Sequence, residues 1–501
     1  MKLFRKIQKW FENQENLYYL FLIILIVPNI VLCFTEPMPL VAKVCNVLLP
    51  FSIYHMIMSW SGNCGKTFWI LFPFLFFGAF QIVLLYLFGQ SVIAVDMFLN
   101  LVTTNPGEAL ELLDNLIPAI IIVVLLYIPA LVLAAVAVSE KRRLSETFVR
   151  RERKRARITV IAGILSLVAA YLFDARYELK SDLYPANVCY NIALAFQRTA
   201  QTQHYAETSK DFTFQAKTTR PEKNREVYVM VIGETSRAAN WSIYGYNRNT
   251  NPELTKIKGL TAFSHVLTES NTTHKSVPML MSSVTAHDFN SIYRQKGIIT
   301  AFKEAGYRTA FFSNQRYNHS FIDFFGKEAD ICDFIKEDTG DGSYNPSDDE
   351  LLKLVAAELA ENASKQFIVL HTYGSHFNYR ERYPADNAFF LPDFPVDAEL
   401  KYKDNLINAY DNSIRYTDNF LARLIRMLQE QDIDAAMLYT SDHGEDIFDD
   451  DRHLFLHASP VPSYYQIHVP FLVWMSDNYR KNYPDFLKNA EINRQKNISS
   501  S

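Results

Sequence analysis

The feature that most constrains this chain is a series of five apolar segments near its N-terminus, at about 17–34, 39–60, 67–89, 115–138 and 157–174. Each is close to the ~20 residues that a helix needs to cross the hydrocarbon core of a bilayer. One such segment could be a buried core helix, but five in series are hard to explain in that way. The sequence therefore predicts a transmembrane domain over residues 1–175. We expect the first segment to be a membrane span rather than a cleaved signal peptide, because no small-residue cleavage site follows it.

Lysine and arginine residues set the expected orientation in the membrane. Four precede the first span, and nine lie in the segment 141–157, which we interpret as a loop between spans four and five. Such basic segments stay on the cytoplasmic side. A juxtamembrane anchor explains the loop better than nucleic-acid binding does, and the net charge of -4 also argues against a nucleic-acid partner. Five spans then place the rest of the chain on the opposite side.

Two connecting segments are expected near the membrane. The long connection at 90–114 should face the same side as the C-terminal part, where it could shape a lipid-entry surface or act as an ordinary amphipathic connector. Residues 176–225 are predicted to form a bridge. Within it, 190–203 is expected to be an amphipathic helix on the membrane and 208–223 a polar linker.

The C-terminal part, residues 226–501, is predicted to be an α/β domain. Short apolar segments rich in β-branched and aromatic residues predict strands at 227–233, 307–313, 366–371, 435–441 and 470–475. Amphipathic segments between them predict helices that include 273–282, 295–305, 348–363 and 403–430. Alternating strands and helices are typical of a mainly parallel sheet flanked by helices.

Acidic and histidine residues follow two of the predicted strands. Glu234 comes after the first, and Asp442, His443, Gly444 and Glu445 come after the fourth. In open α/β sheets, ligands bind beyond the carboxyl ends of the strands. Adjacent Asp and His side chains offer the oxygen and nitrogen ligands that suit Zn²⁺, and the glycine is expected to permit a sharp turn. The alternatives are an acid at a helix N-terminus for Glu234 and an ordinary polar loop for the second group.

The segment 271–278 is predicted to be a loop that enters a helix. A hydroxyl at a helix N-terminus is well placed to attack a phosphate or to carry one covalently. Plain N-capping by Thr272 or Thr273 is the alternative, and these residues alone do not separate the two interpretations. His376, His453 and His457 follow predicted strands. An isolated histidine is usually structural, but several beside an acid pair favour a metal or phosphate pocket.

Together these segments resemble the membrane-bound phosphoethanolamine transferases of Gram-negative bacteria, a family that includes lipid A-modifying enzymes and mobile colistin-resistance proteins. The resemblance covers nearly the whole chain. Besides the five spans, it is carried by Thr104-Asn105-Pro106 with Glu108, Gly233-Glu234-Thr235-Ser236-Arg237, Tyr244-Gly245-Tyr246, Thr250-Asn251-Pro252, Gly374-Ser375-His376, Tyr410-Asp411-Asn412 and Ser441-Asp442-His443-Gly444-Glu445. The C-terminal domain is thus similar to the alkaline phosphatase/sulfatase superfamily.

The resemblance implies roles for particular residues. The implied zinc ligands are Glu234, Thr273, Asp442 and His443. Thr273, five residues before Pro278, matches the threonine nucleophile, and Thr272 is the second choice. His376 and His457 match histidines that act in catalysis, hold the phosphoethanolamine group or bind a second zinc. His453, Asn105 and Glu108 complete the expected substrate-binding set.

The resemblance also implies a reaction and a location. Phosphatidylethanolamine would be the donor, an envelope lipid or glycan such as lipopolysaccharide the acceptor, and phosphoethanolamine-threonine the intermediate. The implied location is the inner membrane, with the catalytic domain in the periplasm.

This chain departs from the lipid A enzymes in its cysteines. Glu269 and Met279 stand where those enzymes have cysteines, and only Cys189 and Cys332 lie in the second half of the chain. We therefore expect a branch outside the lipid A type. The resemblance also implies a longer C-terminus than the one that ends at Ser501.

Two other functions are open alternatives. One is a related hydrolase or a glycerol-phosphate transferase of the lipoteichoic acid type. The Cys/Ser-x-Pro-x-Arg motif of classical sulfatases is absent from the sequence. The other is a membrane sensor with a decayed site, which the intact acids and histidines argue against. Stoichiometric zinc in the purified protein would distinguish an enzyme from a decayed site.

Overall fold

A computed structural model describes residues 9–36, 38–88, 106–218, 224–317, 319–336, 345–397, 399–459 and 461–500, together with Lys6. The side chains of 87–88 and 106–115 lie outside this description. The chain divides into two compact units. The first unit comprises residues 1–101 and 113–197, and the second comprises residues 102–112 and 198–501.

The N-terminal unit is built from long apolar helices. In the described part of the chain, four helices are long and apolar enough to cross a membrane: Gln14–Thr35, Leu40–Met58, Leu116–Ser139 and Glu146–Phe173. A fifth candidate span is broken, because Cys64–Ile70 and Phe72–Tyr86 meet at 61°. These helices confirm the membrane part of the predicted fold class. The shorter helices Leu179–Asp182, Ala186–Gln203 and Tyr205–Thr208 follow them.

Two segments that were predicted to be loops are partly helical. The fourth span lies in the longer helix Pro106–Ser139, so residues 106–114 of the predicted connector are helical, and 90–105 lie outside the described residues. The helix Glu146–Phe173 likewise contains most of the predicted basic loop. Ser145 caps it by accepting a hydrogen bond from the Phe148 N–H, and arginine, lysine and glutamate are good helix formers. Hydropathy detects the apolar part of each helix and misses its polar first turns.

The C-terminal unit contains eleven described strands. They are β1 Glu226–Gly233, β2 Leu260–Phe263, β3 His265–Leu267, β4 Arg308–Ser313, β5 Ile331–Phe334, β6 Lys365–His371, β7 Asp434–Ser441, β8 Asp446–Ile447, β9 Phe455–Leu456, β10 Phe471–Met475 and β11 Asn497–Ser499. Seven of them form a sheet in the order β2-β10-β7-β1-β6-β4-β5. The five from β7 to β5 are parallel, and β10 is antiparallel to β7 and to β2. The predicted mainly parallel sheet is confirmed.

Helices flank this sheet, as the sequence predicts. The described helices are Thr273–Leu280, Ile298–Glu304, Phe321–Gly326, Asp349–Ala360, Lys403–Gln429, Tyr464–Ile467, Asp477–Asn482 and Pro484–Asn493. The predicted strands and helices are present with small shifts at their ends. The two edge strands, β2 and β5, escaped prediction because each has only four residues, too few to establish a two-residue period.

Alternate residues of β1 enter two different cores. Val227, Val229 and Val231 pack in the core that contains the helix Lys403–Gln429, whereas Met230 and Ile232 pack in the core on the other face. This follows from the two-residue period of a strand. With both faces of β1 covered, a ligand can be reached only from the end of the strand, where Glu234 follows Gly233.

The strand register brings the predicted site residues to one edge. Gly233 of β1 pairs with Ser441 of β7, and Ile232 pairs with His371 of β6. The residues that follow β1 and β7, Glu234 and Asp442, therefore leave the sheet side by side.

Candidate active site

Glu234 and Asp442 are adjacent, buried carboxylates at the carboxyl edge of the sheet. The Asp442 N–H donates to the Gly233 carbonyl over 2.9 Å, and both acidic side chains are almost inaccessible to solvent. The chain after Glu234 turns through Thr235, which has a φ of 60°. No helix begins at Glu234, so the interpretation of this residue as a helix N-terminal acid is wrong.

His443 completes a group of three potential metal ligands with these two acids. One ligand atom from each of the three residues lies within 4.8 Å of the others. The Nε2 atom of His443 is 3.4 Å from Oε1 of Glu234 and 3.2 Å from Oδ2 of Asp442. Its Nδ1 atom is 2.9 Å from the Gly444 carbonyl. A hydrogen on Nδ1 therefore donates to that carbonyl, and the lone pair of Nε2 faces the carboxylates.

The electrostatics of this group fit a divalent cation. Burial raises the pKa of Asp442 to about 7, and burial together with the nearby Asp442 raises the pKa of Glu234 well above its ordinary value. Burial lowers the pKa of His443 to about 4, which keeps the imidazole neutral. Two buried carboxylates repel each other unless a positive charge lies between them. Carboxylate oxygens and a neutral imidazole nitrogen are ligands of zinc, so these residues fit a zinc ion.

The hydroxyl of Thr273 joins the same group. This residue begins the helix Thr273–Leu280, and its Oγ1 lies 3.0 Å from Oε1 of Glu234 and 3.1 Å from Nε2 of His443. The hydroxyl of Thr272 instead lies 3.0 Å from Oγ of Ser270 and makes no capping hydrogen bond. Of the two threonines, the structure brings Thr273 to the potential metal ligands.

His457 and His376 lie next to this group. The ring centroid of His457 is 4.2 Å from that of His443 and 6.3 Å from that of His376. Desolvation lowers the pKa of His376 and of His457 well below the ordinary value, and the positive charge of Arg382 adds to the effect at His376. Both imidazoles are therefore neutral and able to accept a proton or to bind a metal.

Two glycines allow backbones to approach each other closely at the site. A Cβ on Gly374, whose φ is 51°, would lie 2.7 Å from the Glu234 carbonyl oxygen. The same carbonyl accepts a hydrogen bond from the Ser375 N–H, which holds the turn that leads to His376. Gly444 does not have a left-handed conformation, so a positive φ is not the reason for a glycine there. A glycine is needed because a Cβ would collide with the Tyr465 carbonyl.

Three predicted substrate-binding residues lie apart or cannot be placed. His453 is exposed, and among the contacts of the described residues none joins its side chain to His376 or His457. Asn105 lies outside the described residues. Glu108 lies in the helix Pro106–Ser139, and its side chain is outside the description. The binding roles of these three residues stay predictions.

Two residues at the site were given no role by the sequence. The Nε2 of Gln315 donates to Oε2 of Glu234 over 2.9 Å; this residue follows β4, so the strand-end argument could have found it. Glu445 is fully buried, and its Oε2 lies 3.7 Å from Nδ1 of His457. Burial raises its pKa well above the ordinary value. The sequence analysis recognised Glu445 as part of the motif after β7 but did not predict that its side chain lies beside His457.

The cysteine departures are visible in the structure as well. All five cysteines are free. The Glu269 carboxylate accepts hydrogen bonds from the Ala286 N–H at 2.6 Å and from the Ser499 hydroxyl at 3.1 Å. Met279 is buried. Non-covalent contacts therefore occupy both positions at which this chain lacks the cysteines of the lipid A enzymes.

Comparisons with known proteins find relatives of both parts of the chain. The Sulfatase family model matches residues 226–500, and the model for phosphoethanolamine transferase EptA/EptB matches residues 56–200. The Kdo(2)-lipid A phosphoethanolamine 7''-transferase of Escherichia coli (strain K12) is 33% identical over 288 residues, which are 55% of this chain and 48% of that protein. The chain thus spans about half the length of the curated relatives it matches.

Solved structures show the same fold. The C-terminal periplasmic domain of EptC from Escherichia coli, in complex with Zn, is 25% identical with a TM-score of 0.51 and covers 56% of this chain and 80% of that one. The integral membrane protein EptA from Neisseria meningitidis is 20% identical with a TM-score of 0.75 and covers 96% of this chain and 92% of that one. With its apolar helices and its sulfatase-type sheet, the chain is a membrane protein that belongs to the phosphoethanolamine transferase family of the alkaline phosphatase/sulfatase superfamily.

Proposed function

We propose that this chain is a zinc-dependent enzyme that transfers phosphoethanolamine from phosphatidylethanolamine to an envelope lipid or glycan, such as the lipid A or core of lipopolysaccharide. The observation that carries the proposal is the position of the Thr273 hydroxyl, 3.0 Å from Glu234 and 3.1 Å from His443. A threonine that only capped its helix would accept a hydrogen bond from a backbone N–H of that helix instead. The names of the relatives support the class of reaction.

In this proposal, Glu234, Asp442, His443 and Thr273 hold the zinc ion. Zinc, when bound, supplies positive charge that favours ionisation of the hydroxyl and offsets the charge of the phosphoryl oxygens. Glu234 accepts the hydrogen bond of the Thr273 hydroxyl through Oε1. Gln315 holds the other oxygen of Glu234, which fixes the direction of that carboxylate.

The reaction has two steps. Oγ1 of Thr273 forms a bond to the phosphorus of phosphatidylethanolamine while the bond from phosphorus to the diacylglycerol oxygen breaks, and diacylglycerol leaves with a proton. The acceptor hydroxyl then bonds to phosphorus, the bond to Oγ1 breaks, and Thr273 regains its proton. His376 and His457, kept neutral by burial, accept and return these protons. We infer that the second unit lies in the periplasm and that the spans keep it at the surface of the inner membrane, where the lipid donor is.

Intact-mass analysis of the full chain in mixed micelles with phosphatidylethanolamine tests this function. The wild type should gain the mass of one phosphoethanolamine group, Thr273→Ala should gain none, and the matched control Thr272→Ala should behave as the wild type. An adduct on Thr273→Ala would contradict the assignment of the nucleophile. If the wild type consumed the lipid without an adduct or a transfer product, the protein would be a hydrolase, and if it consumed no lipid the donor would be wrong.

A further inference from the structure

We propose that Asn271 is a positioning residue that holds the imidazole of His457 at a fixed distance from the hydroxyl of Thr273. The inference rests on the proposed function, which places these two groups in one reaction. Asn271 precedes the nucleophile by two residues, and among the hydrogen bonds of the described residues none joins its side chain to the potential metal ligands or to His376 and His457.

Asn271 contacts the segment that follows His457 at two points. Its Nδ2 donates to the Ser459 carbonyl over 2.8 Å. Its own carbonyl accepts a hydrogen bond from the Ala458 N–H over 3.2 Å. The loop that carries Thr273 is therefore attached to the loop that carries His457 by a side-chain and a main-chain hydrogen bond.

The same amide is linked through Gln466 to the segment after β7. Asn271 Nδ2 donates to Oε1 of Gln466 over 2.6 Å. Gln466 is fully buried, its Nε2 donates to Oδ2 of Asp446 over 2.6 Å, and its carbonyl accepts from the Gly444 N–H over 2.8 Å. One side chain thus links the three segments that carry Thr273, His457 and His443.

The backbone around His457 needs such support. Leu456 has a φ of 67° and Ala458 a φ of 63°, so left-handed residues with side chains stand on both sides of the histidine. Conformations of this kind persist only where surrounding contacts hold them. The preceding residues are held by pairing of β9 with β8, and Asn271 holds the residues that follow. Without Asn271 the segment can relax, and the imidazole can leave its position 4.2 Å from the ring of His443.

The hydrogen-bond chemistry of the side-chain amide explains why an asparagine is required at position 271. Asn271 uses its Nδ2 hydrogens for two oxygen acceptors, Ser459 and Gln466. Asn271→Asp keeps the shape but places an acceptor against both oxygens, and Asn271→Ser removes the amide without adding charge. Asn408→Asp is the matched control, because the buried Asn408 also donates through Nδ2, to the Pro392 carbonyl over 2.8 Å, in a loop that carries no proposed site residue.

Hydrogen–deuterium exchange on the full chain in detergent is the first test. Asn271→Asp and Asn271→Ser should each speed the exchange of residues 454–459 at least about tenfold, since opening a held loop raises amide exchange. Asn408→Asp should leave those residues unchanged. Unchanged exchange at 454–459 in both Asn271 variants would overturn the inference. Because this measurement needs no substrate, it decides the inference even if no transfer activity is found.

A double-mutant cycle on kcat/KM is the second test. Asn271→Asp should lower kcat/KM by about 10²-fold, mostly through kcat, because a small misplacement of a catalytic group has effects of that size. In a His457→Ala background the same substitution should have little further effect, since it acts through the lost imidazole. If the fold-losses in kcat/KM of Asn271→Asp and His457→Ala multiplied in the double variant, Asn271 would act independently of His457, and the positioning role would be overturned. If the wild type formed no phosphoethanolamine adduct in the mass analysis, that result would contradict the proposed function and would leave the exchange test of Asn271 unaffected.

Discussion

At the scale of single residues, the candidate site holds two buried carboxyl groups with no positively charged side chain of the metal-ligand group between them. The carboxylates of Glu234 and Asp442 are buried side by side, and His443 next to them is neutral. Burial raises the pKa of both acids. A bound cation removes this repulsion, so the stability of the second unit is expected to depend on metal.

Removal of zinc tests this dependence. A strong chelator should lower the Tm of the wild-type second unit by roughly 5–10 °C, and added zinc should restore it, as linkage to a tightly bound ligand requires. Asp442→Asn should respond less, because it lacks one ligand and one of the two repelling charges. Differential scanning fluorimetry measures the shift. The exposed acid Asp477 provides a control, Asp477→Asn, which should behave as the wild type; an equal shift in Asp442→Asn would contradict the metal assignment.

At the scale of elements, the helix Lys403–Gln429 holds a neighbouring turn through one buried acid. The carboxylate of Asp418 accepts hydrogen bonds from the N–H groups of Glu253 and Leu254, at 2.9 and 3.0 Å, where the short 3₁₀ helix Leu254–Lys256 begins. Burial raises the pKa of Asp418 to about 6 from 3.8. The folded chain therefore binds this proton more tightly than the unfolded chain does.

This shift gives a pH dependence of known sign. The contribution of protonated Asp418 to stability is fully present below about pH 4 and is lost as the pH rises through about 6. The unfolding free energy of the wild type minus that of Asp418→Asn should thus fall between pH 4 and 7, by at most about 3 kcal/mol. Urea unfolding at a series of pH values measures the difference. The exposed Glu430 supplies the control, Glu430→Gln, and a difference that stays constant or rises with pH would contradict the prediction.

At the scale of the whole molecule, the basic residues and the spans predict which segments face which side. A fluorescent-protein reporter fused after Arg143 should be active in the cytoplasm. Alkaline phosphatase, which folds only in the periplasm, should be active when fused after Lys217. A phosphatase fusion after Glu36 is the control for the first span and should also be active. Phosphatase activity at Arg143 would reverse the proposed orientation.

Much of this fold and part of the site followed from local sequence patterns. Apolar length predicts the spans, and the two-residue period of segments such as 227–233 predicts the central strands, because both are set by neighbours along the chain. The edge strands β2 and β5 and the polar first turns of Glu146–Phe173 were missed, since short or polar segments carry little hydropathy signal.

The sequence by itself determined the membrane part, the α/β sheet and the placement of Glu234, Asp442 and His443 beyond strand ends. Only the tertiary structure shows that the hydroxyl of Thr273, and not that of Thr272, lies beside Glu234 and His443, because the direction of each hydroxyl depends on contacts with residues far away along the chain. The link from Asn271 to the loop after His457 likewise joins residues far apart along the chain. Periodicity reports which face a residue occupies, whereas hydrogen bonds between distant loops exist only once the sheet and its helices have assembled.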